Sequence, residues 1–274
     1  MVFAIQNSDN RKVIQKVKTC WVVNLGLVPY DWACNLQRKL VQARKAGAIP
    51  DVVVLCEHPH VITLGRNGQR EHLHASDHLL AQMNVEFRLS DRGGDITYHG
   101  PGQIVGYPIL DLTQHKRDVR WYVEQLEEVM IQATANFGLD ARRVEGQHGV
   151  WLDSHVPRAE EKLGALGVHL SRWVTSHGFA YNVSTGLRYF DLIVPCGIAG
   201  KRATSLERAL GTQVSAGEAE GHLITHFGEI FERDMISLSP NDLQNALDDF
   251  QCSGLAALPD RDHVPAGAAK GSAA

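Results

Sequence analysis

Apolar residues along this chain fall into two rhythms, short runs of strand type and longer stretches at helical spacing. The switches between them mark the elements. Residues 20–25 form a short apolar run, which predicts a strand. Over 30–45, Trp32, Leu36, Leu40 and Ala43 recur at helical spacing, and Gly47 follows as a stop. Residues 51–56 are valine-rich with little alternation, as expected for a strand covered on both faces. Strands are predicted at 61–66, 85–89 and 104–112, and a short helix at 77–83. The clearest helix spans 119–137, with Val119, Val123, Leu126, Met130, Ala133 and Phe137 on one face and Gly138 at its end. A hairpin is expected at 144–151, and strands at 163–168 and 176–183 are expected to be neighbours in an antiparallel or mixed sheet. Helices at 216–234 and 240–250 complete the pattern.

Length and composition bound this reading. The 274 residues suit one large domain, here 19–252, preceded by a loose extension over 1–18 and followed by an Ala, Gly and Pro-rich mobile tail over 253–274. The 44% hydrophobic and 21% charged content is that of an ordinary globular protein. A net charge of −4 with only short basic clusters argues against nucleic-acid binding. No run approaches a membrane span, and the first residues lack the apolar core of a secretory signal. Five cysteines without a Cys-x-x-Cys pair are expected as reduced thiols in the cytoplasm.

One stretch exceeds what folding requires. Residues 91–107 gather Gly93, Gly94, Gly100, Gly102 and Gly106 with Pro101, His99 and Arg92. Glycine admits a ligand to the main chain at a cost in element interiors, so this density suggests a pocket wall, or else a tight turn. Arg92, Thr97, Tyr98, His99 and Gln103 add convergent polar groups. The spacing fits neither the dinucleotide fingerprint nor a Walker A loop. Cys56, His58 and His60 alternate as strand-borne metal ligands could, but Pro59 disturbs the strand and no second pair completes a site, so no metal is expected. Lys162 stands at a strand start, where a lysine is usually a solvated end. Cys196 lies between Pro195 and Gly197, on a turn, and Thr204-Ser205 can cap a helix or bind an oxyanion.

Three motifs together resemble the octanoyltransferase family, the lipoyl(octanoyl) transferases also called lipoate protein ligase B. They are Arg92-Gly93-Gly94-x-x-Thr97-Tyr98-His99-x-x-Gly102-Gln103-x-x-x-Tyr107, Lys162-x-Gly164-Ala165-x-Gly167 and Val194-Pro195-Cys196-Gly197-Ile198. The later Thr204-Ser205-Leu206 fits as well, while His169 and Ser176 depart from the pattern. The resemblance implies an α/β (α+β) fold with a mixed sheet flanked by helices, similar to the catalytic module of lipoate and biotin protein ligases. It implies transfer of octanoyl from acyl carrier protein to a lysine of lipoyl domains, those of 2-oxoacid dehydrogenase complexes and the glycine cleavage H protein. Cys196 would be the nucleophile and Lys162 its activator. The acyl pocket would be lined by Arg92, Gly93, Gly94, Asp95, Ile96, Thr97, Tyr98, His99, Ala165, Leu166, Gly167, Gly178, Phe179 and Ala180.

The residue types suit that chemistry. A thioester donor passes its acyl group to another thiol at little cost, so neither ATP nor a metal is expected. A thiol at its ordinary pKa of about 8.5 is only a few per cent thiolate at neutral pH. Making it a hundredfold more acidic takes about 2.7 kcal/mol. An ammonium about 4 Å away contributes about 4 kcal/mol at an effective dielectric of about 20, before desolvation. Two other readings remain at this point: an ATP-dependent lipoate or biotin ligase, and a noncatalytic acyl-binding or carrier-docking protein.

Overall fold

The computed structural model describes residues 18–153, 160–194 and 202–252, and the extension, the tail and Cys196 lie outside them, apart from Lys18. The chain runs β1 (Lys18–Leu27), α1 (Tyr30–Lys45), β2 (Asp51–Glu57), β3 (Val61–Leu64), α2 (Asp77–Gln82), β4 (Glu86–Leu89), β5 (Ile96–His99) and β6 (Gln103–Ile109). It continues through α3 (Val119–Ala135), β7 (Arg142–Val144), β8 (Gln147–Asp153), β9 (Glu160–Ser171) and β10 (Val174–Asn182). The last elements are β11 (Arg202–Ala203), α4 (Leu206–Leu210), α5 (Ala216–Phe231), β12 (Arg233–Ser237) and α6 (Pro240–Cys252).

Among the described residues the main sheet is ordered β12-β1-β2-β6-β10-β9-β8-β7, with β11 on β9. β1 is parallel to β12 and β2, and the pairs from β2 to β7 are antiparallel, so the sheet is mixed as expected. β2 explains its own unbroken apolar run. Val53 and Leu55 join a core with α3 and α5, and Val52, Val54 and Cys56 join one with α1 and α6 on the other face. Burial on both faces leaves no position for a polar side chain between Asp51 and Glu57 at its ends.

A second sheet, ordered β4-β3-β5, packs its own core of Ile62, Leu80, Ile96 and Tyr98 with Tyr189 and Leu192. The first strand of this sheet to meet the glycine-rich stretch, β5, lies inside that stretch and has no apolar run to announce it. Most other elements match the sequence pattern, and α1 does so over its whole length. Trp32, expected on the core face of α1, is 48% exposed. The helix expected at 216–234 ends at Phe231; Glu232 turns left-handed and residues 233–237 pair with β1.

That last strand completes a buried ion cluster. Asp51, 2% exposed at the start of β2, meets Arg44 Nε at 2.9 Å and Arg233 Nε at 3.0 Å. His115 Nε2 lies 3.0 Å from Asp51 Oδ2, and the Asp111 amide donates to Oδ1 at 3.1 Å. Burial alone would raise the pKa of Asp51, but the His115 and Arg44 contacts outweigh it and hold the carboxyl well below the usual range. The carboxylate thereby ties α1, β2, β12 and the end of β6 together.

Replacing Asp51 with Asn takes the carboxylate from buried Arg233 and leaves Arg44 only Asp111 at 3.7 Å, and should cost about 3–5 kcal/mol in chemical denaturation. Because the native pKa lies below the unfolded value of about 3.9, this stabilisation is complete above about pH 4 and is lost as pH falls further. The acid limb of a stability-versus-pH curve should therefore be shallower in Asp51→Asn than in the wild type.

Candidate functional site

The site begins as a gap in side-chain volume. On β10, Phe179 and Tyr181 point into the core under α3 and α5, and Ala180 points to the opposite face. Ala165 of β9 pairs with Ala180, and Gly167 with Gly178, so alternation puts the four smallest available residues together on that face. Where larger side chains would fill the layer, a cavity of about 550 Å³ remains. Such a volume is ordinary for a small-molecule site.

Lys162 reaches this cavity through a break in alternation. Val150 of β8 pairs with Gly164 while the next residue, Trp151, pairs with Lys162, so β9 carries extra chain here. Leu163 lies in the core beneath α3, and a Cβ on Gly164 would meet Met130 Sδ at 2.6 Å, so both residues face the helices. The bulge resets the period and brings Lys162 to the cavity face. Its Nζ donates to the His148 carbonyl at 3.0 Å and lies 4.5 Å from the centre of the Trp151 ring. At 9% exposed it is a buried strand residue and not a solvated strand end.

The roof is the glycine-rich stretch. β8 stops pairing with β9 at Gly164, and beyond that point the loop takes over the open edge, the Gly93 amide donating to the Val168 carbonyl at 2.8 Å. Arg92 crosses above Gly167, where a Cβ would sit 2.9 Å from Arg92 Cδ and from the Gly93 carbonyl. Its guanidinium donates through Nη2 to the Thr63 carbonyl at 2.8 Å and to Thr63 Oγ1 at 2.9 Å. Main-chain bonds from Gly65, Arg66 and Asn67 to the carbonyls of Asp95, Arg92 and Gly94 fasten the loop to the end of β3. The glycines thus serve close backbone packing as much as access.

His99 and Tyr107 of the inner wall belong to a buried polar network. His58 Nδ1 lies 2.7 Å from the Val28 carbonyl, so this nitrogen carries the proton and Nε2 accepts from the Tyr107 hydroxyl at 2.7 Å. Gln103 donates its amide nitrogen to the Tyr98 carbonyl and to Asn182 Oδ1, leaving Oε1 to accept from His99 Nδ1 at 2.7 Å. Burial, followed by the neighbouring His58 and Arg92, lowers the pKa of His99 to about 3, and burial also lowers that of His58. Both imidazoles are neutral at physiological pH. Asn182 Nδ2 continues the network to the Thr204 carbonyl, and the Thr204 amide donates to the Lys162 carbonyl at 2.9 Å.

Of the residues singled out from sequence, Arg92, Gly93, Gly94, Asp95, Ile96, Thr97, His99, Lys162, Ala165, Leu166, Gly167, Gly178, Phe179 and Ala180 border this one cavity. Tyr98 does not, which corrects the expectation for it. Strand alternation on β5 sends it into the second sheet's core, stacked on Tyr189 with its hydroxyl 2.7 Å from His60 Nδ1. Sequence reasoning missed Tyr30, Val105 and His177 in the wall. His177 immediately precedes Gly178-Phe179-Ala180, a position that could have flagged it. Cys196 lies outside the described residues, but the ends flanking it are placed. The Val194 amide donates to the His72 carbonyl, and Ala203 pairs with Lys162. Cys56, His58 and His60 do not converge, since His60 turns to Tyr98 and Tyr189, and the described residues contain no group of three or more potential metal ligands. Ser205 takes the capping role, its hydroxyl accepting from the Arg208 amide at the start of α4.

Residues 29–228 match the family model described as the lipoyl protein ligase A/B catalytic domain. An octanoyltransferase of Solibacter usitatus is 48% identical over 220 residues, covering 80% of this chain and 96% of that protein. The octanoyltransferase of Koribacter versatilis is 48% identical over 225 residues, covering 81% and 88%. Among solved structures, a bipartite lipoate protein ligase from Thermoplasma acidophilum superimposes with a TM-score of 0.65 at 14% identity, over 90% of this chain and all of that one. A lipoate-protein ligase A bound with ATP gives 0.61 at 12% identity, over 85% and 93%. At those identities the two structures speak for the fold alone. The close sequence relatives carry the family, and the chain belongs to the octanoyltransferases of the lipoyl protein ligase A/B catalytic-domain family, acyltransferases of lipoate biosynthesis.

Proposed function

We propose that this chain moves octanoyl from acyl carrier protein to a lysine of lipoyl domains through a thioester on Cys196, with Lys162 as its activator and without ATP or a metal. The observation that carries the reading is the juxtaposition of a buried lysine with a cavity floored by Ala165, Gly167, Gly178 and Ala180, beside the point where the chain bearing Cys196 rejoins β9. The other cysteines are poor rivals. Burial raises the pKa of Cys20 and Cys56, pushes that of Cys34 up to about 12, and Cys252 stands exposed at the end of α6.

In the first half-reaction the Cys196 thiolate attacks the donor thioester carbonyl. A carbon–sulfur bond forms to Cys196, the bond to the carrier's sulfur breaks, and the carrier leaves as a thiol on taking a proton. In the second, the acceptor lysine amine attacks the enzyme thioester, an amide forms, and Cys196 departs as the thiolate. Lys162 suits the proton transfers of both halves. The octanoyl chain would lie on the small-residue floor beneath the Arg92–Thr97 roof, beside the neutral His99 imidazole. Lipoyl domains of 2-oxoacid dehydrogenase complexes and the glycine cleavage H protein are the acceptors we expect. The cytoplasm is the compartment we expect, since it keeps a nucleophilic thiol reduced.

Intact-mass spectrometry after mixing with octanoyl-acyl carrier protein, with no ATP present, should show an octanoyl adduct that a lipoyl domain discharges and that Cys196→Ala never forms. Transfer only upon addition of ATP would assign the chain to ligase chemistry instead. Lys162→Ala should lower the transfer rate by about 10²–10⁴-fold with the melting temperature nearly unchanged. Filling the floor with Ala165→Leu should cut octanoyl transfer at least about tenfold while sparing a butyryl donor. Equal losses for the two donors would place the acyl chain elsewhere.

A further inference from the structure

Lys162 is aimed by a peptide group, and that peptide is itself aimed by a carboxylate on α3. The carbonyl that receives Lys162 Nζ belongs to His148, at 3.0 Å. The amide of the same peptide unit, Gly149 N–H, donates to Glu127 Oε1 at 2.8 Å. In a trans peptide the C=O and N–H point in opposite directions, so an amide anchored on Glu127 turns the carbonyl toward Lys162. Gly149 adopts φ +120°, which side-chain-bearing residues avoid, and a Cβ there would lie 2.5 Å from the Gly164 carbonyl and 3.2 Å from Lys162 Cε. Glycine is thus required where the peptide is gripped.

Glu127 is 4% exposed among the apolar residues of α3 that face the sheet, where a carboxylate carries a desolvation cost. Arg143 offsets part of that cost through Nε, 3.1 Å from Glu127 Oε2, while its Nη2 serves Glu128 and the Glu124 carbonyl. The two oxygens of Glu127 are therefore divided, one toward a half-exposed arginine and the other toward the lysine's peptide.

We propose that Glu127 is a positioning residue for Lys162, acting through the His148–Gly149 peptide, an assignment that rests on the role proposed above for Lys162. The carboxylate orients the peptide dipole, whose negative end faces Nζ across from the Trp151 ring. Removing the acceptor frees the peptide to rotate and lets Nζ leave the thiol it serves.

The test compares Glu127→Met, which keeps volume without an acceptor, with Glu127→Gln, which keeps an acceptor oxygen, and with Arg143→Gln, which removes the guanidinium from Glu127, Glu128 and the Glu124 carbonyl but leaves the Gly149 amide its acceptor. Steady-state transfer and the pH profile of Cys196 alkylation by iodoacetamide are read alongside thermal melting. Glu127→Met should lower kcat roughly tenfold to a hundredfold with KM for octanoyl-acyl carrier protein unchanged, and shift the alkylation profile to higher pH. Glu127→Gln should restore most of both, Arg143→Gln should change only the melting temperature, and Glu127→Met should have no further effect in a Lys162→Ala background. A wild-type rate and profile in Glu127→Met, with Lys162→Ala impaired, overturns the positioning role alone. Arg143→Gln reproducing the Glu127→Met defect, or an additional loss in the double variant, overturns it as well. Full turnover in Lys162→Ala removes the parent reading and this one together.

Discussion

The site depends on one irregular step in β9, where Leu163 and Gly164 both face the helices. Strand alternation is unforgiving, since a shift of one residue exchanges the two faces of everything beyond it. With regular pairing, Lys162 and Ala165 would lie on opposite sides of the sheet, the lysine under α3 and the alanine in the cavity. The bulge lets a cation and an apolar floor share one side. Its cost is confined to a place where Met130 needs a residue with no side chain.

From that step the rest of the pocket follows by exclusion. The side of the sheet covered by α1 and α6 is filled by branched and aromatic side chains over β2 and β6, and it empties where β9 and β10 carry alanine and glycine. A loop from the second sheet roofs that floor, and it can lie close because Gly167 leaves room for Arg92. The guanidinium passes over the floor at Gly167 and bonds Thr63 in β3, so the roof is fastened by a side chain for which the missing Cβ leaves room.

Much of this was legible in the linear chain. The period of α1, the apolar run of β2 and the pairing of the two strands around the Lys162 motif announce themselves, because burial on one or both faces writes a repeat into the residues. The glycine-rich stretch between Arg92 and Tyr107 borders the cavity through Gly93 and Gly94, while Gly100, Gly102 and Gly106 are not in its lining. It could not reveal that residues 96–99 form a strand of a separate sheet, or that Tyr98 turns away, because glycine and proline obscure the period that assigns a face. The bulge left no trace either, since Leu163-Gly164 resembles any strand interior. Glu127 carries no signal of its own in the sequence, because its meaning lies in a peptide further along the chain. β12 was missed because the expected helix took in its first two residues, Arg233 and Asp234, and the three that remain are too few to carry a strand pattern.

The pairing of β12 with β1 also bears on the order of assembly. These strands come from opposite ends of the described chain, yet they lie side by side at one edge of the sheet, and Arg233 at the start of β12 is a partner of Asp51. During synthesis on the ribosome, β1, α1 and β2 emerge early with Arg44 as the first cation for that carboxylate, and the second arginine arrives only after α5. The outermost strand and the last ion pair therefore close together. A nascent chain lacking them presents the unpaired edge of β1, a surface that invites pairing with another chain until β12 has been made.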